Sequence, residues 1–367
     1  MSTLARAAPS PEDIAARILR GEERALARLL SALEDAEPWS GAALRMLRKD
    51  TSSQGFSHCI GVTGPPGSGK STLVDKLIGA YRARGERVAV LAVDPSSPFT
   101  GGAILGDRIR MQGPPGGARA GDPGVFIRSL ASRGRLGGLS RASAQASRAM
   151  EAAGYGVVIV ETVGIGQSEV DIARLADSVV LVSMPGSGDD IQTIKAGVME
   201  IGDIFAVNKA DREGADRAVR EIRSMLEVAA SLAAGRAPST SPDTLIGHHA
   251  FAPLPRAREA AKDLPPGDHV PPVLKTVAET GEGVSELVAA LDARWAKLKV
   301  SGELEARRRG GAMAEARALL QDRVLVELEA LEGGLEEELA GEIVRGEREA
   351  AEAADLLFDS IRKRGGT

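Results

Sequence analysis

The chain has 367 residues, 43% of them hydrophobic but only 3% aromatic, so its core must be built largely from aliphatic side chains. A formal net charge of −5 excludes the concentrated basic field that a general nucleic-acid or membrane-surface binder needs. The single cysteine, Cys59, excludes an intrachain disulfide and any multi-cysteine metal site.

The first segment is helical. Met1–Ser10 lacks an apolar signal core, and no apolar run approaches the roughly 20 residues that span a bilayer, so the cytoplasm is the expected location. Ile14, Ile18, Leu19, Leu26, Leu29 and Leu30 recur mostly at three- and four-residue spacings, giving residues 11–47 one apolar face. Ser10 and Pro11 suit the cap and the first helical position.

From residue 55 to residue 298 short apolar runs alternate with amphipathic stretches. Cys59–Thr63, Val88–Val93, Val125–Ile127, Val157–Val160, Val179–Ser183, Ile204–Val207 and Val273–Val277 are mostly continuous Val/Ile runs, as in strands covered on both faces. Cys59, inside the first of them, is expected to be a buried core residue. Helices between the strands predict right-handed crossovers and a doubly wound, mostly parallel α/β sheet, with ligands beyond the strands' carboxyl ends.

Directly after the first strand comes Gly64-Pro65-Pro66-Gly67-Ser68-Gly69-Lys70-Ser71, followed by Thr72. This is G-x-x-x-x-G-K-S between a strand and a helix, the context in which the motif means a phosphate loop. Its glycines let backbone N–H groups cradle phosphate oxygens at a helix N-terminus, Lys70 reaches the β and γ phosphates, and the Ser71 hydroxyl ligates Mg²⁺. A nucleoside triphosphate is the expected ligand.

The second strand leads into Asp94-Pro95-Ser96-Ser97-Pro98 and a Gly-rich stretch ending at Asp107-Arg108. Its glycines and hydroxyls suit a segment ordered only by ligand. Asp94 and Asp107 could both approach Mg²⁺ or the attacking water, but taken without the surrounding motif each reads first as an ordinary turn or cap carboxylate. The fourth strand ends in Glu161-Thr162-Val163-Gly164, where small GTPases carry Asp-x-x-Gly. The longer carboxylate of Glu161 can act on Mg²⁺ through a water, and the Gly164 N–H can meet the γ phosphate. Ile165 stands where Ras-type enzymes place the water-orienting Gln, and Gln167 is a weak substitute two residues on, so slow intrinsic turnover is expected. The loop 185–197 again mixes glycine with charge, and nothing in its spacing separates Lys195 from a solvated surface lysine.

Asn208-Lys209-Ala210-Asp211 follows the sixth strand and reads guanine. The Asp211 carboxylate can accept from guanine N1–H and the 2-amino group, whereas adenine would leave it unpaired. The stem of Lys209 can lie along the base, and Asn208 can tie the loop to its neighbours. Thr276-Val277-Ala278 suits the second base loop, with the Ala278 N–H near the guanine oxygen. GTP is therefore preferred over ATP. Between these loops, residues 232–267 are rich in Ala, Pro, Ser and Gly and read as a flexible insertion; His248 and His249 within it are solvated loop histidines rather than metal ligands.

After a helix at Val284–Leu298 the chain becomes strongly charged. Arg307–Gly311 predicts the end of one helical segment, and Glu332-Gly333-Gly334 breaks the next. Leu319, Leu320, Val324, Leu325, Leu328 and Leu331 form a stripe, and Leu335, Leu339, Ile343 and Val344 repeat it. The stripe packs either on its own domain or against a second subunit. The expected organisation is an N-terminal helical segment (1–55), a phosphate-loop nucleotide domain (56–298) and a C-terminal helical hairpin (299–367).

These runs together resemble the MeaB-type GTPases, G proteins associated with adenosylcobalamin-dependent methylmalonyl-CoA mutase and also labelled arginine/ornithine transport kinases. Residues 64–72, 92–111, 161–171, 184–197 and 208–211 carry the resemblance, which spans nearly the whole chain; the insertion 232–267 looks longer than the family's. It implies a G domain with a C-terminal arm that makes a homodimer. It also implies that Asp94, Asp107 and Glu161 belong to the Mg²⁺ and hydrolysis machinery. Lys195 would be a third-switch residue responding to the mutase. GTP would gate loading and expulsion of a cobalamin held by the partner, with none bound to this chain. A nickel- or cobalt-insertion GTPase and a GTP-dependent kinase are the alternatives.

Overall fold

The seven apolar runs form seven strands: β1 (His58–Thr63), β2 (Val88–Asp94), β3 (Val125–Ala131), β4 (Val157–Thr162), β5 (Ser178–Ser183), β6 (Ile204–Val207) and β7 (Val273–Lys275). They make one sheet in the order β3-β2-β4-β1-β5-β6-β7, and every pairing is parallel. A parallel sheet needs both faces covered, which is why β1, β4, β5 and β6 are buried along their whole length. β7 is shorter than the run that predicts it: Val277 leaves the ladder and forms an isolated antiparallel bridge with Glu282. The computed structural model describes residues 9–51, 55–94, 122–131, 141–162, 168–186, 201–233, 270–331 and 334–365.

Strand alternation sends successive side chains to opposite layers. Cys59, Val158, Val160 and Val179 face one layer, made by α1 (Pro11–Leu19), α2 (Glu23–Glu34), α3 (Ser40–Thr51), α5 (Arg141–Ala152) and α6 (Ser168–Leu175). On that face α7 (Ala215–Ala233) covers Leu181, Phe205 and Val207. Ile60, Val62, Ile159, Val180 and Val182 face the other layer, made by α4 (Lys70–Ala83) and α8 (Val284–Ser301). The predicted N-terminal cap is in place, since the Ser10 hydroxyl accepts from the Asp13 N–H. Cys59 is buried as expected, and burial pushes its thiol up to about 12.

α9 (Glu303–Glu329) runs straight through Arg307–Gly311, where the sequence predicts an end. Two helical glycines each cost about 1 kcal/mol relative to alanine. Gly311 is offset by a close approach, because a Cβ there would collide with the carbonyl oxygen of Arg174. The arginines before it are fastened to the amino-terminal edge of the sheet. Arg307 grips Asp203 with two nitrogens at 2.8 and 3.2 Å and meets Glu303 at 3.0 Å. Arg308 grips Asp177 at 2.8 and 2.9 Å, Glu151 at 2.9 Å and the Ser57 carbonyl at 2.8 Å. Compact units divide between Gly311 and Ala312. The second unit contains the rest of α9 with α10 (Leu335–Val344) and α11 (Ala350–Gly365). Among the described residues no helix is long and apolar enough to cross a membrane.

Candidate nucleotide site

β1 lies mid-sheet, with β4, β2 and β3 to one side of it and β5, β6 and β7 to the other, so a crevice opens beyond its carboxyl end at a topological switch point. The phosphate loop fills that crevice. Gly64 has φ +142°, and a Cβ on it would strike the Val182 carbonyl of β5; only glycine lets the chain turn there. Gly69 caps α4 in the left-handed region, and a Cβ on it would strike the side-chain nitrogen of Asn208. Gly64 therefore sits against β5 and Gly69 against the loop after β6.

Lys70 is buried at the first position of α4, and its ammonium donates to the carbonyls of Gly64 and Pro65, both at 2.9 Å. The ammonium thus curls back over the cradle that its own loop makes. Ser71 donates its hydroxyl to Glu161 Oε1 at 2.6 Å. Glu161 is buried at the carboxyl end of β4. A hydroxyl and a carboxylate brought together at a helix N-terminus are hard oxygen donors of the kind Mg²⁺ takes, so the residues present fit that ion.

At the other end one side chain closes three loops. Asn208 is buried, its Nδ2 donates to the Ser68 carbonyl at 2.7 Å, and its Oδ1 accepts from the Ala278 N–H at 2.9 Å and the Thr276 hydroxyl at 3.2 Å. The backbone repeats the connection: Asn208 N–H donates to Ser183, and Ala210 N–H to Thr276. Lys209 has φ +56°, unusual for a side-chain-bearing residue, and its ammonium reaches the Gly67 carbonyl at 2.7 Å. Its stem consequently spans the gap between the base loop and the phosphate loop. Asp211 follows on an exposed turn.

The structure thus brings together Gly64, Pro65, Pro66, Gly67, Ser68, Gly69, Lys70, Ser71, Glu161, Asn208, Lys209, Thr276 and Ala278. Thr72 lies in the first turn of α4, Val277 in its bridge to Glu282, and Asp211 just beyond Lys209. Asp94 closes β2 by its backbone, and its side chain lies outside the described residues, as do Asp107, Gly164, Ile165, Gln167, Lys195 and most of the insertion 232–267 with His248 and His249. Ser183 and Gly283 are parts of the site that the motifs do not flag. Ser183 anchors Asn208 through its carbonyl, and Gly283 packs against the Lys275 carbonyl so closely that a Cβ would collide. Only the small size of the two residues could have signalled them. Among the described residues no group of three or more His, Cys, Asp or Glu could hold a metal ion.

An all-parallel seven-stranded sheet with this phosphate loop and base loop defines the P-loop GTPase α/β fold. The family model described as methylmalonyl-CoA mutase-associated GTPase MeaB matches residues 26–332, and the chain belongs to that family. A protein of Pyrococcus horikoshii named as a GTPase is 42% identical over 350 residues, covering 95% of this chain and 98% of that one. A mouse protein named methylmalonic aciduria type A homolog, mitochondrial, is 30% identical, over 83% of this chain and 66% of its own length. A crystal structure of an LAO/AO transport system kinase superposes with a TM-score of 0.66 at 26% identity, covering 98% of this chain and all of that one.

Proposed function

We propose that this GTPase is a chaperone that gates adenosylcobalamin loading and release on an adenosylcobalamin-dependent acyl-CoA mutase, with methylmalonyl-CoA mutase as the favoured client. The observation that carries the proposal is the family match across residues 26–332. The three-loop closure around Asn208 supports guanine as the base.

In this reading the backbone of residues 64–72 cradles the phosphates. Lys70 leaves its two carbonyls for the β and γ phosphates. Asp211 accepts from the guanine edge while Lys209 lies along the base and Ala278 N–H faces the guanine oxygen. Ser71, Asp94, Asp107 and Glu161 would hold Mg²⁺, which neutralises phosphate charge when bound. Gly164 N–H meets the γ phosphate, and Lys195 answers to the mutase. Turnover is slow alone and rises when the partner completes the site.

A homodimer through the C-terminal hairpin accounts for the exposed Met313, Leu320, Leu325, Val326, Val344 and Phe358 in the second unit. The protein works in the cytoplasm, holds GTP or GDP and carries no cobalamin itself. The test is GTP hydrolysis by the purified protein alone and with each adenosylcobalamin mutase of its own organism. A rise of about tenfold or more with one mutase, well within what partner-completed GTPase sites reach, identifies the client. Turnover that no mutase changes would sink the chaperone reading, and phosphate transfer to a protein or amino acid would put the kinase reading in its place.

A further inference from the structure

We infer that Thr162, through its hydrogen bond to Thr63, is a positioning residue for GTP hydrolysis. The inference rests on the GTPase activity of the family and is independent of the choice of mutase.

The two threonines sit where β1 and β4 stop pairing. The parallel register between those strands runs from His58↔Val157 to Val62↔Glu161, and the next pair would be Thr63 and Thr162. At that step the Thr162 hydroxyl donates to the Thr63 hydroxyl at 2.9 Å. Both side chains are essentially fully buried, at 0% and 1% exposure. A buried hydroxyl costs free energy unless bonded, and the upstream residues of the same strands, Ile60, Val62, Val158 and Val160, are apolar. Valine would fill the same space without that cost. The polar pair therefore does something at this step that an apolar pair would not.

Its neighbours indicate what. Thr63 immediately precedes Gly64, where the phosphate loop begins, and Thr162 immediately follows Glu161, whose carboxylate meets Ser71 at 2.6 Å. Where the two strands stop pairing, this bond ties the residue before the phosphate loop to the residue after Glu161, and with the Ser71–Glu161 bond it sets where that carboxylate stands against the loop. Threonine is stiff at χ1, so the bond transmits backbone position rather than absorbing it. On the other side β4 is still held to β2 through Val93↔Thr162, which leaves the β1 side as the one that the hydroxyls set.

The consequence is a split between chemistry and binding. The phosphate loop and the base loops, which would hold GDP, keep the bonds made by Lys70, Asn208 and Lys209 when Thr162 changes. The placement of Glu161 against Ser71, which the proposed function assigns to hydrolysis, does depend on Thr162. Thr162→Val keeps the shape and removes the donor; it is expected to slow single-turnover GTP hydrolysis by about tenfold or more, since misplacements of an ångström can cost 10²-fold, with GDP affinity unchanged. Thr162→Ser keeps the hydroxyl and should retain most of the rate. The double variant Thr63→Val/Thr162→Val removes both polar groups, so the melting temperature lost in the single variant should return while hydrolysis stays slow.

Unchanged hydrolysis in Thr162→Val would overturn the inference, and so would a double variant whose rate returns together with its stability. Wild-type protein in the same assay keeps two failures apart. If it turns over GTP and Thr162→Val does too, only the threonine pairing falls. If it binds GDP but hydrolyses nothing, the GTPase reading falls with it.

Discussion

The two ends of the sheet are built from different chemistry. At the carboxyl ends, β1, β4, β5 and β6 are joined through hydroxyls, backbone carbonyls and one amide, Asn208, with the Ser71 hydroxyl on Glu161 and the ammoniums of Lys70 and Lys209 on backbone oxygens. At the amino ends the same strands are clamped by ions. Arg294, Arg307 and Glu303 enclose Asp203, and Arg308 ties Asp177, Glu151 and Ser57 together. Burial raises the Asp177 carboxyl above its ordinary range even with Arg308 against it. Burial also opposes the charge on Arg308, yet Asp177 and Glu151 hold its guanidinium above the ordinary value. One end spends its hydrogen bonds holding loops that can let go for a charged ligand. The other encloses charges that cannot be separated without exposing one of them.

That contrast can be broken from either side. Lys70→Ala should cut GTP turnover by about 10²–10³-fold, the scale for losing a preorganised charge-stabilising donor, with little change in the apo melting temperature. Normal turnover there would remove the phosphate-loop assignment. Arg308→Ala should do the reverse: about 3–5 kcal/mol of stability lost in chemical denaturation, because Asp177 stays buried without its cation, with turnover per folded molecule preserved. Should turnover fall with stability, the two ends are not separable. Asp211→Asn should relax the preference for guanine over adenine nucleotides about 10- to 100-fold, the worth of a hydrogen bond to a charged acceptor. Competition binding reads this directly, and an unchanged preference would move base recognition elsewhere.

The smallest effect concerns pH at the clamped end. His58 stacks on Trp295 at 4.6 Å and meets the Ser178 hydroxyl at 2.9 Å. Burial, then the charges of Arg308, Lys299 and Arg294, push it down to about 3. The unfolded chain takes up this proton near 6.5 and the folded one does not until about 3. Stability is therefore fully present above pH 6.5 and falls as pH drops through that window, by about 2 kcal/mol at pH 5. His58→Phe should shrink the difference in denaturation midpoint between pH 7 and pH 5; an equal difference in both proteins would place the sensitivity on other groups.

The clamped end is also where the sequence is hardest to read. Continuous Val/Ile runs locate all seven strands, since a doubly covered strand leaves no polar alternation to confuse with a helix. The phosphate and base loops are legible because each is contiguous and its spacing is fixed by one ligand. Strand order leaves no local trace, because nothing in Val88–Asp94 says that it lies between β3 and β4. The run Arg307–Gly311 predicts a helix end because two glycines after three successive arginines look like a break. In the structure Arg307 and Arg308 find acids 104 and 131 residues away, and that distant pairing holds the helix together. Thr63 and Thr162 are silent for the same reason, being 99 residues apart.

The bond from Arg308 to the Ser57 carbonyl closes a loop of 251 residues that takes in all seven strands. Contacts of such separation carry the largest loop-closure entropy and form late. During synthesis β1 through β7 must emerge before Arg308 exists to cover Asp177. Until then a buried-to-be carboxylate stays in water, and the sheet's amino-terminal edge stays open. A chain cut at residue 298 would be held permanently in that unfinished state. The root of the C-terminal helix is thus the closing stitch of the domain that precedes it, delivered only when translation has passed the last strand.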